Sequence, residues 1–249
     1  MTAHAERLGA VTVITIDRPD RRNAIDAATT AALDAAFNAF EDDPDGRVAV
    51  LTGGPSVFCA GTDVVAWAGN PTPRGGPYGI AGRKLRKPVI SAVEGVAAGG
   101  GFEIALATTL IVASRTATFS FPEPTLGLVA ECGGLFRAPR SLPLNVAREM
   151  LLTGLPLSAA RAYELGVVNQ LTEPGGALAA AMMLAERIAA LAPLAVTQTL
   201  TVVESLYAAA DEDGWSRTRQ AKQVVRASDD AVEGVLAFKQ RRPPVWSGH

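Results

Sequence analysis

The sequence predicts an α/β fold, and two observations support this class. Short runs rich in β-branched residues, at Val11–Ile16, Val48–Thr52 and Val89–Val93, alternate with longer segments of helical period. The chain has 249 residues, 48% of them hydrophobic, which is enough apolar material for a large core. Because this alternation is typical of strand–helix–strand units, we expect a mostly parallel sheet covered by helices.

The first helix is expected between the first two of these strands. Asp26 can cap its N-terminus, and the Pro-Asp-Gly segment 44–46 should end it. Leu33, Phe37 and Phe40 recur at helical spacing, so this face of the helix should join the core.

A segment rich in Gly and Pro lies between the second and third strands. Residues 69–82 include five Gly and three Pro, a composition that predicts turns rather than a helix or strand. We expect a mobile surface loop that is able to lie over a ligand, rather than a linker between domains.

The C-terminal part of the chain is Ala-rich and predicts consecutive helices. Helices after an α/β region indicate a core at residues 1–190 that carries the active site. Residues 191–249 would then form a helical C-terminal region for packing or assembly. The predicted helices are 177–191, 195–210, 215–227 and 230–240.

Charge and hydropathy exclude several classes of partner. The net charge is −2, and acidic and basic residues are intermixed, so no broad positive field is present for nucleic acid. The N-terminal residues contain neither a signal-peptide pattern nor the roughly 20 apolar residues of a membrane span. We therefore expect a cytoplasmic protein with no nucleic-acid or membrane partner.

The scarcity of histidine and cysteine limits the chemistry. His4 and His249 are the only histidines, and both lie at termini, so a histidine-assisted nucleophile or a histidine metal site is not expected. Cys59 and Cys132 are too few for a disulfide framework or a four-thiolate zinc site, and should be reduced core residues. We predict no metal site, and acid–base chemistry by carboxylates, lysine or tyrosine.

Two glycine-containing turns are candidate anion sites. Gly99–Gly101 follow an apolar run and open a predicted helix that extends to about Leu110. Free amides at a helix start bind a phosphate or an oxyanion, but the Gly-Lys-Ser/Thr of phosphate loops and the Gly-x-Gly-x-x-Gly of dinucleotide folds are absent. Two interpretations remain: an oxyanion hole, or a tight turn that packs the helix on its strand. The small-residue turn 58–63 could direct a second amide at the same oxygen.

Three glutamates near these turns are candidate acids and bases. Glu103 lies in the first turn of the predicted helix, where an exposed carboxylate could instead only stabilise the helix dipole. Glu123 lies among aromatic residues and prolines, and a buried carboxylate without a basic partner has a raised pKa that suits acid–base work. Glu131 lies in an apolar, glycine-rich segment. An exposed loop position is the alternative for Glu123 and Glu131.

These segments resemble the crotonase family of enoyl-CoA hydratases and isomerases, and the likeness extends over essentially the whole chain. Each motif is modest alone, and the resemblance rests on their order and spacing. It implies a β-β-α spiral core with a helical C-terminal region that forms trimers or dimers of trimers. The motifs are Arg-Pro-Asp-Arg-Arg-Asn-Ala-Ile at 18–25, Phe-Cys-Ala-Gly-Thr-Asp at 58–63, Lys-Pro-Val-Ile at 87–90, Gly-Gly-Gly-Phe-Glu at 99–103, the segment 119–127, Gly-Gly at 133–134 and the tail 237–242.

The resemblance also implies residue roles. The amides of Thr62 and Gly100 would form the oxyanion hole, and Glu103 and Glu123 would be the two catalytic acids that hold one water. The substrate would be an acyl-CoA, with CoA as part of the substrate and no other cofactor. The CoA arm would lie along the first turn, and the tail would contact CoA from a neighbouring subunit unless it is only a solvated helix end. The matching positions are Ala60, Thr62, Asp63 and Val64 in the turn, and Phe238 and Arg241 in the tail.

Departures from the family pattern leave the activity open. Glu94 stands where the family usually has Asn, which the sequence does not explain. Glu131 matches an additional acid of some members, and a third carboxylate could move a proton between carbons instead of delivering water. The segment 228–234 and the Pro-Val-Trp near the C-terminus resemble the carnitinyl-CoA dehydratase branch, a hint about substrate.

The expected function is an enoyl-CoA hydratase-like lyase. One alternative is a double-bond isomerase that uses Glu123 or Glu131 as the proton carrier. The other is a non-catalytic acyl-CoA-binding relative. The presence of both Glu103 and Glu123 argues against a pure binder, which has no evident need of them.

Overall fold

The structure, a computed structural model, describes residues 2–249 and has the α/β architecture expected from the sequence. Within these residues, strands and helices alternate up to residue 172, and only helices follow. The strands are β1 (Ala3–Leu8), β2 (Val11–Ile16), β3 (Val48–Thr52), β4 (Val89–Val93), β5 (Val96–Ala98), β6 (Leu110–Ser114), β7 (Thr118–Ser120), β8 (Leu157–Ser158) and β9 (Gln170–Thr172). The helices are α1 (Ala27–Asp42), α2 (Gly100–Leu106), α3 (Gly134–Ser141), α4 (Leu144–Thr153), α5 (Ala159–Glu164), α6 (Ala177–Ala189), α7 (Pro193–Ser205), α8 (Ala208–Arg226) and α9 (Asp229–Gln240), with 3-10 turns at Pro19–Arg21, Pro77–Gly79 and Glu123–Leu126.

The larger sheet has six strands in the order β1-β2-β3-β4-β6-β9. It is parallel from β2 to β9, and β1 pairs with β2 in the antiparallel sense. Every residue of β3 and β4 is buried, as expected for central strands covered on both faces. The three strands predicted from the sequence are confirmed with the same bounds.

Helix α1 begins and packs as predicted. The Asp26 carboxylate accepts a hydrogen bond from the Thr29 amide at 2.8 Å and caps the helix. Leu33, Phe37 and Phe40 are at most 2% exposed and join the main core. The apolar stripe therefore belongs to the core.

Helix α6 covers part of the other face of the sheet through a stripe of alanines. These residues recur every four positions, and a side chain of one carbon lets the helix approach the strands closely. The stripe is Ala177, Ala181, Ala185 and Ala189, and it packs with Val11, Val48, Val50, Ile90 and Val112.

The smaller sheet, β5-β7-β8, brings the two glycine-containing turns together. An isolated bridge joins Cys59 to Ala97 of β5, and the Ala98 amide donates to the Cys59 carbonyl at 3.0 Å. The turn after β3 and the turn that opens α2 are therefore neighbours, as parallel strands predict.

Cys59 and Cys132 are free and buried, as expected of small core residues. Burial raises the pKa of the Cys59 thiol to about 12, and burial raises that of Cys132 well above its usual range.

The prediction of a mobile surface loop at residues 69–82 is wrong for its second half. Tyr78, Ile80 and Ala81 are at most 4% exposed, and the turn packs on α1. A Cβ at Gly79 would lie 2.5 Å from the Asp34 amide nitrogen. The glycines therefore permit close contact with a helix, whereas the sequence suggested only flexibility.

Two predicted helix bounds are also corrected. The helix that opens at the triple glycine ends at Leu106, because residues 110–113 pair with β4 and sheet pairing overrides helical period. The third C-terminal helix begins at Ala208, seven residues before the predicted start at Trp215. Gly214 lies just before the predicted start, and a Cβ there would lie 2.6 Å from Phe136 Cγ, so this glycine lets α8 cross α3 closely.

No single helix within residues 2–249 has both the length and the apolar character needed to cross a bilayer, and α6 with α7 meets that test only as a pair bent by 108°.

Candidate active site

A cleft of about 470 Å³ opens beside the smaller sheet, where the two glycine-containing turns meet. Most residues that the sequence singled out as site residues line it. They are Ala60, Thr62, Asp63, Val64, Gly100, Glu103, Glu123, Glu131 and Phe238; Arg241 is not among the lining residues.

The amides of Thr62 and Gly100 lie on adjoining turns. A Cβ at Gly61 would lie 2.7 Å from the Ala98 carbonyl oxygen and 3.1 Å from the Gly100 nitrogen, so only glycine fits here. Neither the Thr62 nor the Gly100 amide donates a hydrogen bond to any acceptor within residues 2–249. Two free donors at the wall of one cleft match the requirements of an oxyanion hole.

Glu103 is buried in the first turn of α2, contrary to the alternative of an exposed helix-end carboxylate. It is 1% exposed. Its Oε1 accepts hydrogen bonds from the Cys132 amide at 2.7 Å and the Gly134 amide at 2.9 Å. Burial raises the pKa of Glu103 to about 7, although these two amides favour the ionised form.

Glu123 begins the 3-10 turn opposite the triple glycine. A Cβ at Gly99 would lie 2.7 Å from its Oε1, which places the carboxylate directly against that turn. Its Oε2 is buried and has no hydrogen-bond partner within residues 2–249. Burial, and then the nearby charge of Glu103, raise the pKa of Glu123 to about 8. The unpartnered oxygen is free to hold a water or a proton.

Phe102 fixes the position of Glu103 relative to Glu123. Its ring centroid lies 5.0 Å from that of Phe119 and 4.9 Å from that of Phe121, so α2 rests on the segment that leads to Glu123. The aromatic residues that precede Glu123 in the sequence thus connect its segment to the helix that carries Glu103.

Glu131 also lines the cleft, but its carboxylate is paired. Oε1 lies 2.9 Å from Lys222 Nζ and 2.9 Å from Arg226 Nη2. Arg226 in turn lies over the Trp67 ring, 4.6 Å from its centroid. The role of Glu131 as a third acid stays a prediction, and two cations on its oxygens weigh against proton transfer.

Asp63 lines the cleft, but the contacts of its carboxylate are with the first turn and with Arg18. Its Oδ1 accepts from the amides of Val65 and Ala66 at 3.0 Å, and its Oδ2 lies 3.3 Å from Arg18 Nη2. These contacts hold the backbone of the turn and thereby aim the preceding amide of Thr62.

The C-terminal tail reaches the cleft within one chain. Phe238 of α9 lines the cleft of its own chain, and contact of the tail with CoA bound to a neighbouring subunit stays a prediction. Arg241 ends α9 in a left-handed conformation, with φ 54°, and lies away from the cleft lining.

Glu94 has a structural explanation that the sequence did not provide. This 5%-exposed carboxylate accepts a hydrogen bond from the Ala177 amide at 3.0 Å, at the start of α6. Its backbone carbonyl accepts from the Phe58 amide at 2.8 Å. Glu94 therefore connects α6 to the turn that carries Thr62.

Sequence reasoning missed several residues at the site. Tyr78 is buried, and its hydroxyl lies 2.8 Å from Thr62 Oγ1 and would lie 2.4 Å from a Cβ on Gly100. Arg21 and Arg22 also line the cleft, and both are exposed. Arg21 and Arg22 fall within the motif at 18–25, which was the available signal. Tyr78 gave none, because its segment was interpreted as a loop.

Comparison with known proteins places this architecture in a family. The model of the family described as enoyl-CoA hydratase/isomerase matches residues 6–249. A carnitinyl-CoA dehydratase from Salmonella arizonae is 41% identical over 254 aligned positions, covering 98% of this chain and 97% of the relative.

Solved structures show the same likeness over the full length. A carnitinyl-CoA dehydratase from Mycobacterium avium 104 superposes with a TM-score of 0.94 at 41% identity, covering 100% of this chain and 99% of that one. An enoyl-CoA hydratase from Mycobacterium tuberculosis H37Rv superposes with a TM-score of 0.80 at 43% identity, with the same coverage.

Proposed function

Because this chain belongs to the enoyl-CoA hydratase/isomerase family, as an enzyme of the hydratase type, we propose that it reversibly adds water across the C2–C3 double bond of an enoyl-CoA thioester. The observation that supports this most is the pair of buried glutamates, Glu103 and Glu123, facing the same cleft as two free backbone amides. A pure acyl-CoA binder needs the amides but not the acids.

The oxyanion hole activates the substrate. The thioester oxygen accepts hydrogen bonds from the Thr62 and Gly100 amides, which polarise the conjugated double bond and make C3 electrophilic. As water adds, negative charge moves onto this oxygen in an enolate-like state. Fixed amide donors stabilise this charged state more strongly than they stabilise the bound substrate. Loss of one donor typically raises the activation free energy by about 3–4 kcal/mol.

The two glutamates divide the proton transfers. Glu103, whose ionised form is favoured by two amide donors, takes a proton from the water as its oxygen bonds to C3. Glu123, which has a free oxygen and the higher pKa, holds a proton and delivers it to C2. One water is consumed, and exchange of one proton between the carboxyl groups restores the enzyme. The reverse sequence dehydrates a 3-hydroxyacyl-CoA. No redox cofactor or metal is required, because only protons and water move.

The same proposal covers assembly as a trimer or a dimer of trimers. Helix α7 exposes several large apolar side chains, and within it Leu200 is the buried residue. An exposed apolar helix face of this kind is typical of a subunit interface. The exposed residues are Leu194, Val202, Val203 and the following Leu206.

The reaction is tested with purified protein and crotonyl-CoA. We expect loss of the conjugated thioester absorbance with a mass gain of one water. Glu103→Gln and Glu123→Gln should each lower kcat about 10²–10⁴-fold, because general acid–base catalysis is worth that much. Glu149→Gln, an exposed substitution on α4, is the matched control.

Product analysis separates the alternatives. If either glutamine variant keeps activity within a few-fold of wild type, the two-glutamate assignment is wrong. A product of unchanged mass with a shifted double bond would indicate an isomerase. Binding of acyl-CoA without any turnover would indicate a non-catalytic relative.

A further inference from the structure

A second cavity, of about 570 Å³, adjoins the cleft and is not used by the proposed mechanism. Glu131 and Arg226 line both spaces, so their ion pair lies at the boundary where the two spaces meet. Pro71, Pro77 and Trp215 supply apolar surface to the second cavity. It therefore extends the cleft beyond the reacting carbons, on the side of Glu131.

Helix α8 gives this cavity its charge. Trp215, Thr218, Lys222 and Arg226 recur at spacings of three or four residues, so they share one face of the helix, and that face lines the cavity. The helix is held in place by contact of Trp215 with Phe136, whose ring centroids are 5.1 Å apart. The charged side chains thus project from a supported element.

Positive charge outweighs negative charge in the second cavity. Arg219, Lys222 and Arg226 are cations, whereas Glu131 is the one acidic side chain among the lining residues within positions 2–249. Glu131 has both Lys222 and Arg226 within 2.9 Å, so a single carboxylate is shared by two cations. The side chains that line this cavity therefore include at least one cation without a counter-ion, and this positive charge favours binding of an anion in the cavity.

We propose that the second cavity binds the distal end of the acyl group, and that this end carries a carboxylate. The inference rests on the proposed function, since it names the substrate class of that same site. A carboxylate entering from the cleft would meet Lys222 and Arg226 and form charge-assisted hydrogen bonds with them. The apolar residues around them would cover the methylene groups that lead to it.

A cationic acyl end fits this cavity poorly. A quaternary ammonium needs an aromatic face or a carboxylate. Trp215, the aromatic residue that lines this cavity, already has the Arg137 guanidinium over its ring at 5.6 Å, and the Trp67 ring in the adjoining cleft has Arg226 over it at 4.6 Å. The Glu131 oxygens are engaged by Arg226 and Lys222. A substrate cation would have to displace these cations and then lie beside them. The chain therefore differs in expected substrate from relatives named carnitinyl-CoA dehydratases.

The test compares three families of 2-enoyl-CoA thioesters matched in chain length: one ending in a methyl group, one in a carboxylate and one in a trimethylammonium group. We expect kcat/KM for the carboxylate ester to exceed that for the methyl ester by about tenfold, as two partly exposed ion pairs worth about threefold each would give together. The trimethylammonium ester should be the poorest of the three. Rising salt should reduce the preference for the carboxylate.

Variants locate the source of the preference. Lys222→Met and Arg226→Met should each reduce the ratio of carboxylate to methyl kcat/KM several-fold, mainly through KM. Arg217→Met is the matched control, because Arg217 lies on the same helix, 77% exposed and paired with Asp213, and should leave the ratio unchanged.

The outcomes separate this inference from the proposed function. If methyl esters gain water but carboxylate esters do not surpass them, or if Lys222→Met leaves the ratio unchanged, the inference fails and the hydratase proposal stands. If no ester gains or loses water, the hydratase proposal fails. In that case calorimetric binding of saturated acyl-CoAs decides the inference: tighter binding of the carboxylate ester supports it, and equal or weaker binding overturns it.

Discussion

Glu103 and Glu123 line one cleft, but their carboxylates have different surroundings. Glu103 accepts two backbone amide hydrogen bonds, whereas an oxygen of Glu123 is buried without a partner. Amide donors favour a carboxylate, and burial without donors favours the acid form. In the proposed hydration, Glu103 therefore suits the role of base and Glu123 the role of acid, although both are glutamates.

The pH dependence of hydration should follow from this difference. Burial raises the pKa of Glu103 to about 7 and that of Glu123 to about 8. As pH falls below about 7 Glu103 becomes protonated, and as pH rises above about 8 Glu123 loses its proton, so under the proposed mechanism kcat/KM should fall on both sides. The two apparent pKa values of this profile describe the interacting pair of carboxyl groups together, not either residue alone.

A pH series of kcat/KM with crotonyl-CoA checks this expectation. Glu123→Gln should remove the alkaline limb from the residual activity, because glutamine does not titrate. A wild-type profile that stays flat from about pH 5 to about pH 9 would contradict the raised pKa values of both carboxylates.

At the scale of elements, Glu94 joins α6 to the first active-site turn. Its side chain caps the helix at Ala177, and its carbonyl holds the Phe58 amide. The family pattern has Asn at this position, whose side chain is one methylene shorter. The longer side chain of Glu94 reaches the first residue of α6 and accepts a hydrogen bond from its amide. This contact explains why glutamate stands at a position that the sequence alone left unexplained.

Loss of this cap should destabilise the fold more than the chemistry. We expect Glu94→Ala to lower the free energy of unfolding by about 1–3 kcal/mol, because it leaves the buried Ala177 amide without an acceptor. Glu94→Gln keeps an acceptor oxygen and should lose less. Urea unfolding of the three proteins measures the effect, and equal midpoints for wild type and Glu94→Ala would refute this role.

Elements were predictable where local pattern and tertiary contact agree. Strands β2, β3 and β4 have a strong β-branched signal and are buried in the sheet, so their bounds were correct. The end of α2 and the turn at Pro77–Gly79 are decided by contacts with distant residues, strand β4 and helix α1. Periodicity contains no information about those partners. The segment 69–82 was misinterpreted as a mobile loop because glycine is used for flexibility and for close packing alike.

At the scale of the whole molecule, the exposed apolar face of α7 bears on assembly. Val202 and Leu206 are 58% and 75% exposed, and they are four residues apart, so they share a face. Covering such a face in a trimer would remove apolar surface from water. Sedimentation should give the mass of three or six chains.

Replacing both residues by glutamate should shift the protein toward single chains, since it places charge in the interface. The single variant Arg187→Glu, at an exposed position on α6, also changes the net charge by −2 and is the control for surface charge. A wild-type protein that sediments as one chain at micromolar concentration would refute the trimer.

The candidate site was largely predictable, because its residues belong to motifs with a fixed order. The turns at 58–63 and 99–103 and the carboxylates that follow were all placed at the cleft. The ion pairs of Glu131 were not, since Lys222 lies 91 positions away on a helix with an unremarkable sequence. Long-range charge pairing depends on how α8 crosses the core, which the sequence pattern does not specify.

The two buried thiols also allow local opening of the structure to be measured by cysteine modification. A thiolate is the form that alkylating reagents attack, so both cysteines should stay unmodified until the surrounding structure separates. Cys59 lies directly beneath the triple glycine, where a Cβ on Gly101 would contact it, and the amide of Cys132 holds Glu103. The rate of modification of each thiol, followed separately by mass, therefore reports the opening of a different half of the site: the turn that carries Gly100 in one case and the support of Glu103 in the other.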